Sequence, residues 1–176
     1  MGVTIYPLRL GLTRCYVIRD RGTILVDAGM PWQARSFAGQ LARTPVRPEE
    51  IQLIVLTHGH FDHAGSAAAI QRLTGARLAV HGADADLVEG RRITTPTPQT
   101  RWGATMWPAL APLMPALANR CRAHVDLVIG DQGLTLADYG DIDITRINAD
   151  RMDLTITPSR SMASKNRGAS TTCHWQ

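Results

Sequence analysis

The stretch IVLTHGHFDHAGS, residues 54–66, places three histidines and an aspartate directly after an apolar run. In an extended or gently turning segment, residues i and i+2 point to the same side, so His58 and His60 can converge on one ion. Asp62 and His63 follow at the entry to a helix and face a neighbouring position. Imidazole and carboxylate groups are ligands that zinc, iron and manganese accept, with zinc favoured by the nitrogen donors. The spacing therefore predicts two adjacent metal positions.

The segments after this stretch alternate between strand and helix patterns. The continuous apolar run of RPEEIQLIVLTHGH favours a strand buried on both faces. DHAGSAAAIQRLTG predicts a short helix with Gly75 as its C-cap, ARLAVHG predicts the next strand, and ADADLVEG predicts another helix. HVDLVIGDQGLTLADYG predicts two short strands joined by a glycine-containing turn. Such alternation indicates an α/β fold around a mainly buried sheet.

The segments before the histidines predict a hairpin and a helix. VTIYPLRL is typical of a strand, and RCYVIRDRGTILVDAG predicts a β-hairpin that turns at residues 20–22. WQARSFAGQLART places Trp32, Phe37 and Leu41 at spacings of three to five, which predicts an amphipathic helix that ends before Pro45.

The cluster resembles the signature of a known family. THGHFDH matches the TxHxHxDH motif of the metallo-β-lactamase superfamily, and TILVDAG is similar to that family's other recurrent motif. The resemblance covers about residues 3–140. It implies an αββα sandwich with the metals at one edge of two facing sheets.

The resemblance also implies a role for each residue of the motifs. His58 and His60 would bind the first metal, and Asp62 and His63 the second. Asp62 would also orient the attacking water or take its proton. Asp27, at the end of its strand, would hydrogen-bond the loop that carries the metals, which is support of the kind that fixes ligand orientation.

These residues predict an enzyme that hydrolyses a small substrate. Two ions a few ångströms apart can hold a bridging hydroxide and polarise a substrate oxygen. We expect a zinc-dependent hydrolase with one or two Zn²⁺, or with iron or manganese, that acts on an ester, thioester, lactone or related molecule. The alternative is a non-catalytic metal-binding or interaction remnant of such an enzyme.

The chain divides into two parts at about residue 140. Residues 1–140 are expected to form the N-terminal part of a metallo-β-lactamase-like domain, with a proline-rich lid or insert at 91–123. The family completes its site with later histidines and a bridging aspartate, but this sequence has no histidine between His124 and His174. We interpret the C-terminal half as incomplete through truncation or frameshift, and residues 141–176 as an atypical, partly disordered tail. His81, His124 and His174 are expected to have no ligand role.

Composition and charge limit which partners and which cellular location can be expected for this chain. Arg and Asp interrupt every apolar run well before the roughly 18–20 residues that span a bilayer. The start shows no secretory leader, and three widely spaced cysteines are typical of free thiols in a reducing cytoplasm. Five arginines and no acid between Arg91 and Arg122 are suited to steering an anionic small molecule. No membrane or nucleic-acid partner is expected, and no oligomeric state is indicated.

Overall fold

The larger of two sheets carries the histidine-rich loop. A computed structural model describes residues 3–92, 112 and 121–130, and the backbone of 134–135, 142–148, 151–156 and 171–175. The first sheet has six strands in chain order: β1 (Thr4–Leu10), β2 (Thr13–Arg19), β3 (Thr23–Val26), β4 (Leu53–Val55), β5 (Arg77–His81) and β6 (Leu127–Ile129). β1, β2 and β3 pair antiparallel, whereas β3 to β6 pair parallel. The predicted hairpin and the alternation are confirmed.

The second sheet is antiparallel and comes from the C-terminal part of the chain. Its strands are β7 (Leu134–Thr135), β8 (Ile142–Asn148), β9 (Arg151–Ile156) and β10 (Thr171–Trp175), in the spatial order β10-β9-β8-β7. The alternating residues 142–147 and 152–156 thus lie in strands, as their period of two predicts. A further strand, β10, lies where the sequence shows no periodicity.

The two short strands predicted after residue 123 are present, but they belong to different sheets. β6 and β7 follow each other in the chain, but β6 pairs with β5 in the first sheet and β7 with β8 in the second. Two short strands with a glycine turn between them are compatible with either a hairpin or a crossing between sheets, and here the chain crosses. The predicted lid at 91–123 lies mostly outside the described residues, which include 91, 92, 112 and 121–123 of it.

Four short helices flank the parallel strands. They are α1 (Ala34–Leu41), α2 (Phe61–Ala64), α3 (Ala67–Thr74) and α4 (Gly82–Val88), with a 3-10 turn at Pro48–Glu50. No helix within the described part of the chain has the length and apolar character needed to cross a bilayer. The helices instead connect successive strands of the sheet.

Helix α1 corrects one detail of the sequence interpretation. Phe37 and Leu41 are buried as predicted, but Trp32 lies before the helix, is 72% exposed and has a φ of +66°. Positions five apart are about 140° apart around a helix, so Trp32 and Phe37 cannot share a face. The buried stripe of α1 therefore comes from Phe37 and Leu41, one turn apart.

The helix predicted after the histidines is interrupted at Gly65. A Cβ there would collide with Pro31 and with the carbonyl oxygen of Phe61. This close approach ends α2 after one turn, and α3 begins two residues later. α3 ends at Gly75, which adopts the left-handed conformation with φ +72° and caps the helix as predicted.

The central parallel strands β3 and β4 are buried on both faces. One apolar cluster joins the sheet to α1, α3 and α4 and includes Phe37, Ile54 and Ile70. A second cluster on the opposite face includes Ile24, Val26, Leu53, Val55 and Ala79. All three residues of β4 are fully buried, as expected for a central parallel strand. The ends of β3 and β4 are therefore held in a rigid part of the molecule.

Candidate metal centre

The histidine loop begins where two parallel strands end. Val26 of β3 pairs with Val55 of β4, so Asp27 and Thr57 leave the sheet at the same edge. The amide of Asp27 donates to the Val55 carbonyl at 2.9 Å, and the amide of Ala28 donates to the His63 carbonyl at 2.7 Å. The carboxyl ends of parallel strands are the usual place for a binding site in such sheets. Both sequence motifs are thus brought together here.

The Asp27 side chain holds the start of the histidine loop through hydrogen bonds. Its carboxylate accepts the Thr57 amide at 2.9 Å and the Thr57 hydroxyl at 2.8 Å, and the residue is only 5% exposed. Asp27 has a φ of +62°, a left-handed conformation that aspartate adopts more readily than most residues. The hydrogen bonds to the loop that the resemblance implies for Asp27 are therefore present.

The same two residues orient two of the histidine rings. Nδ1 of His63 lies 2.8 Å from the Asp27 carboxylate, and Nδ1 of His58 lies 3.0 Å from the Thr57 hydroxyl. A metal-binding histidine usually has its second ring nitrogen engaged in this way, which fixes the ring and its tautomer. With both Nδ1 atoms occupied, the Nε2 atoms of His58 and His63 remain for a ligand.

Three of the four predicted ligands converge. His58, Asp62 and His63 each offer a ligand atom, and these atoms all lie within 4.8 Å of one another. The rings of His58 and His63 have centroids 4.0 Å apart, and Nε2 of His63 lies 3.5 Å from Oδ2 of Asp62. His60 is exposed; its ring stands perpendicular to His58 at 4.8 Å but does not join the group of three.

The pKa values of the two half-buried rings shift in opposite directions. Burial lowers the pKa of His58, and the neighbouring His63 lowers it further. Burial also acts to lower the pKa of His63, but the hydrogen bond and the charge of Asp27 outweigh it and raise that pKa.

A second set of contacts joins the loop to residues 28–33. The Ser66 hydroxyl donates to the Met30 carbonyl at 2.6 Å and accepts the Gln33 amide at 2.9 Å. The Gln33 side chain in turn donates to the Leu10 carbonyl at 2.6 Å. The hydrogen bonds of Thr57 and Ser66 could not be predicted from the sequence. Thr57 lies within the quoted motif, but its contacts depend on the register of two distant strands.

The remaining histidines lie elsewhere. His81 is buried at the end of β5, where its ring accepts the Ala83 amide at 3.3 Å and caps α4. The side chain of His124 is 77% exposed, near two carboxylates. His174 belongs to β10, of which only the backbone is described. Neither His81 nor His124 belongs to the group of candidate ligands.

A cleft in the described residues is separate from the histidine loop. It has a volume of about 760 Å³ and is lined by Arg19, Thr23 and Glu50, among others. Thr23 begins β3, whereas Asp27 follows the end of the same strand, so the cleft lies toward the opposite end of that strand.

An αββα arrangement with a histidine-aspartate loop at the strand ends defines a class of metal-dependent hydrolases. The sequence profile of the metallo-beta-lactamase superfamily matches residues 8–145, and the chain belongs to that superfamily. The fold class predicted from the sequence is thereby confirmed.

Individual relatives agree with this assignment. Human metallo-beta-lactamase domain-containing protein 1 is 50% identical over 46 residues, which are 26% of this chain and 17% of that protein. The probable metallo-hydrolase YflN of Bacillus subtilis is 28% identical over 139 residues, 76% of this chain and 52% of that protein. BJP-1, a subclass B3 metallo-beta-lactamase of Bradyrhizobium japonicum, superposes with a TM-score of 0.61 at 25% identity, over 89% of this chain and 55% of its own. The chain thus spans about half the length of YflN and BJP-1.

Proposed function

We propose that this chain binds divalent metal through His58, His60, Asp62 and His63 and hydrolyses a small ester, thioester, lactone or related substrate. Zn²⁺ is the proposed ion, one or two per chain, with iron or manganese as other ions the site could accept. The convergence of His58, Asp62 and His63 within 4.8 Å carries this proposal.

The donor set fits such an ion. Two imidazoles and one carboxylate are borderline-soft and hard ligands of the kind that zinc accepts. Asp27 and Thr57 occupy the inner nitrogens of the two converging rings, which supports coordination through the outer ones. His60 reaches the same ion as His58 by a side-chain rotation, because it is exposed and two positions away.

Each residue then has a distinct task. A bound zinc ion supplies Lewis acidity and lowers the pKa of water toward neutrality. Asp62 would orient the attacking water or take its proton, and its Oδ2 lies 3.5 Å from Nε2 of His63. Asp27 and Thr57 hold the rings of His63 and His58 still while this happens. These roles follow from the contacts of the loop and from the family to which the chain belongs.

The substrate is proposed to be a small molecule, with anions favoured by the arginines between Arg91 and Arg122. The proposed location is the cytoplasm. Cys15 and Cys121 are both free and buried, and burial raises the pKa of each thiol. Unpaired thiols are typical of a reducing compartment.

A second candidate function is metal binding without catalysis. The described residues bring together three ligand groups, whereas two catalytic ions together need more than three protein ligands. A site with so few ligands would hold one ion loosely. Zinc content and turnover separate the two candidates.

The test is to measure bound zinc and hydrolysis for the purified chain and three variants. His58→Ala and His60→Ala are expected to reduce bound zinc at least about tenfold more than His124→Ala, since metal-site changes typically cost 10–100-fold. His124 is the matched control because its ring is exposed and lies outside the cluster. Assays use thioester, lactone, β-lactam and phosphodiester substrates with zinc in excess.

Two zinc ions per chain with turnover above background would support the hydrolase. One loosely held ion without turnover would support the non-catalytic alternative. Equal loss of zinc in all three variants would refute the assignment of the ligands.

A further inference from the structure

Asp84 is a buried acid without a complete set of partners. It lies in the first turn of α4, and the residue is 9% exposed. Its Oδ1 is 3.9 Å from an Arg92 nitrogen, whereas its Oδ2 has no hydrogen-bond partner among the residues that the structure describes. An unpaired buried carboxylate oxygen is costly, and such groups in native folds call for an explanation.

Asp84 packs directly against the metal-binding loop. A Cβ built on Gly59 would lie 3.2 Å from the Cβ of Asp84 and 3.3 Å from its carbonyl oxygen. Gly59 stands between His58 and His60, and Leu87 of the same helix lies 3.1 Å from the built Cβ. Helix α4 therefore packs closely on the loop between these two histidines, and a side chain at Gly59 would be crowded there.

The loop offers donors at this point. Thr57 has its amide bonded to Asp27, and the amide of His63 is bonded to the His60 carbonyl at 3.0 Å. By contrast, the amides of Gly59 and His60 have no acceptor among the described residues. An unpaired acceptor on α4 and two amides without a described acceptor on the loop thus belong to segments that pack directly on each other.

We propose that Asp84 is a positioning residue for the metal centre, with Oδ2 accepting a hydrogen bond from the backbone amides of the Gly59–His60 segment. The bond would fix the backbone between the first two ligands and so set the spacing of their rings. This inference rests on the proposed metal site, because His58 and His60 are the residues that it positions. Asp84 itself touches neither substrate nor ion.

The first measurement needs no metal. Amide hydrogen exchange of Gly59 and His60 is followed by NMR in the metal-free wild-type chain, Asp84→Ala and Asp84→Asn. Loss of the acceptor should speed exchange of at least one of these amides about tenfold, since exchange reports local opening. Asp84→Asn keeps an oxygen acceptor and should retain the wild-type rate. Asp86→Asn is the control because Asp86 lies on the same helix with its side chain 59% exposed.

The second measurement reports on the site. Asp84→Ala should weaken zinc binding about 10–100-fold, as loss of a ligand-orienting contact typically does. It should also shift the visible absorption bands of the Co²⁺-loaded chain, which a mere loss of stability would not move. Asp84→Asn should restore both, and Asp86→Asn should change neither.

The outcomes separate this inference from the proposed function. Equal exchange rates in wild type and Asp84→Ala would overturn the role of Asp84, whatever the metal data show. Failure of the wild-type chain to bind zinc or cobalt would instead refute the proposed metal site, while the exchange rates would still decide the contact. Unchanged cobalt bands and zinc affinity in Asp84→Ala would likewise overturn the positioning role.

Discussion

Replacing Asp27 should destabilise the fold and weaken the metal site together. Its carboxylate accepts the amide and the hydroxyl of Thr57 at 2.9 and 2.8 Å in a nearly water-free position. Each hydrogen bond to a charged group contributes about 1.5–3 kcal/mol. Alanine also tolerates φ +62° less well than aspartate does, which adds a smaller backbone cost to Asp27→Ala. We expect the free energy of unfolding to fall by about 3–5 kcal/mol, the usual result of breaking a buried charged contact.

Two further variants separate the contribution of the Asp27 carboxylate from that of the backbone conformation. Asp27→Gly relieves the positive φ and should recover about 1 kcal/mol relative to Asp27→Ala. Asp27→Asn tolerates the left-handed conformation but leaves His63 Nδ1 without its charged partner. It should therefore fold better than Asp27→Ala yet bind zinc about 10–100-fold more weakly than wild type.

Urea unfolding of the metal-free chains gives the stabilities, and competition with a chelating dye gives the zinc affinities. An Asp27→Ala chain within about 1 kcal/mol of wild type would show that Asp27 is not the anchor of the loop. Wild-type zinc affinity in Asp27→Asn would show that the orientation of His63 does not depend on this contact.

Two further predictions concern pH and the core. The pKa of His63 is raised in the folded state. The stability that its contact with Asp27 provides is therefore fully present below the unfolded pKa of about 6.5. This stability is lost as the pH rises through the folded-state pKa. In metal-free chains, His63→Gln should therefore lower the free energy of unfolding in urea more at pH 5.5 than at pH 8.5. An equal loss at both pH values would contradict the ion pair. Phe37 is fully buried beneath the sheet, and Phe37→Ala should cost about 3–5 kcal/mol. Leu73→Ala is the control, because Leu73 is 41% exposed, and it should lower the free energy of unfolding far less. Equal shifts of the denaturation midpoint in the two variants would contradict the placement of Phe37 in the core.

The sequence predicts the parts of the fold that depend on local pattern. The all-apolar run of β4, the glycine that ends α3 and the alternating strands β8 and β9 each have a period or a cap that acts within a few residues. The spacing also predicts that His58, His60, Asp62 and His63 lie on one loop, but it pairs His58 with His60, whereas the structure groups His58 with Asp62 and His63.

Features that depend on distant segments could not be predicted in this way. The break between α2 and α3 arises because Pro31 presses on Gly65, and the contacts of Thr57 arise because β3 and β4 pair in one register. From the sequence alone, Asp84 is an acid in the first turn of a helix, which is a common position. Its importance depends on the packing of α4 against Gly59, which the sequence does not show. In each case the partner lies about 25 or more residues away along the chain.

The parallel register of β3 and β4 limits how the length of this chain can vary. Val26 faces Val55, so Asp27 lies level with Leu56 and its carboxylate reaches the next residue, Thr57. Side chains along a strand alternate between faces, so one residue inserted or deleted within either strand would turn the carboxylate away from the loop. The connection between the strands runs through α1 and the 3-10 turn, and its length is free of this constraint. Insertions and deletions should therefore be tolerated in the connection between β3 and β4 but not within either strand.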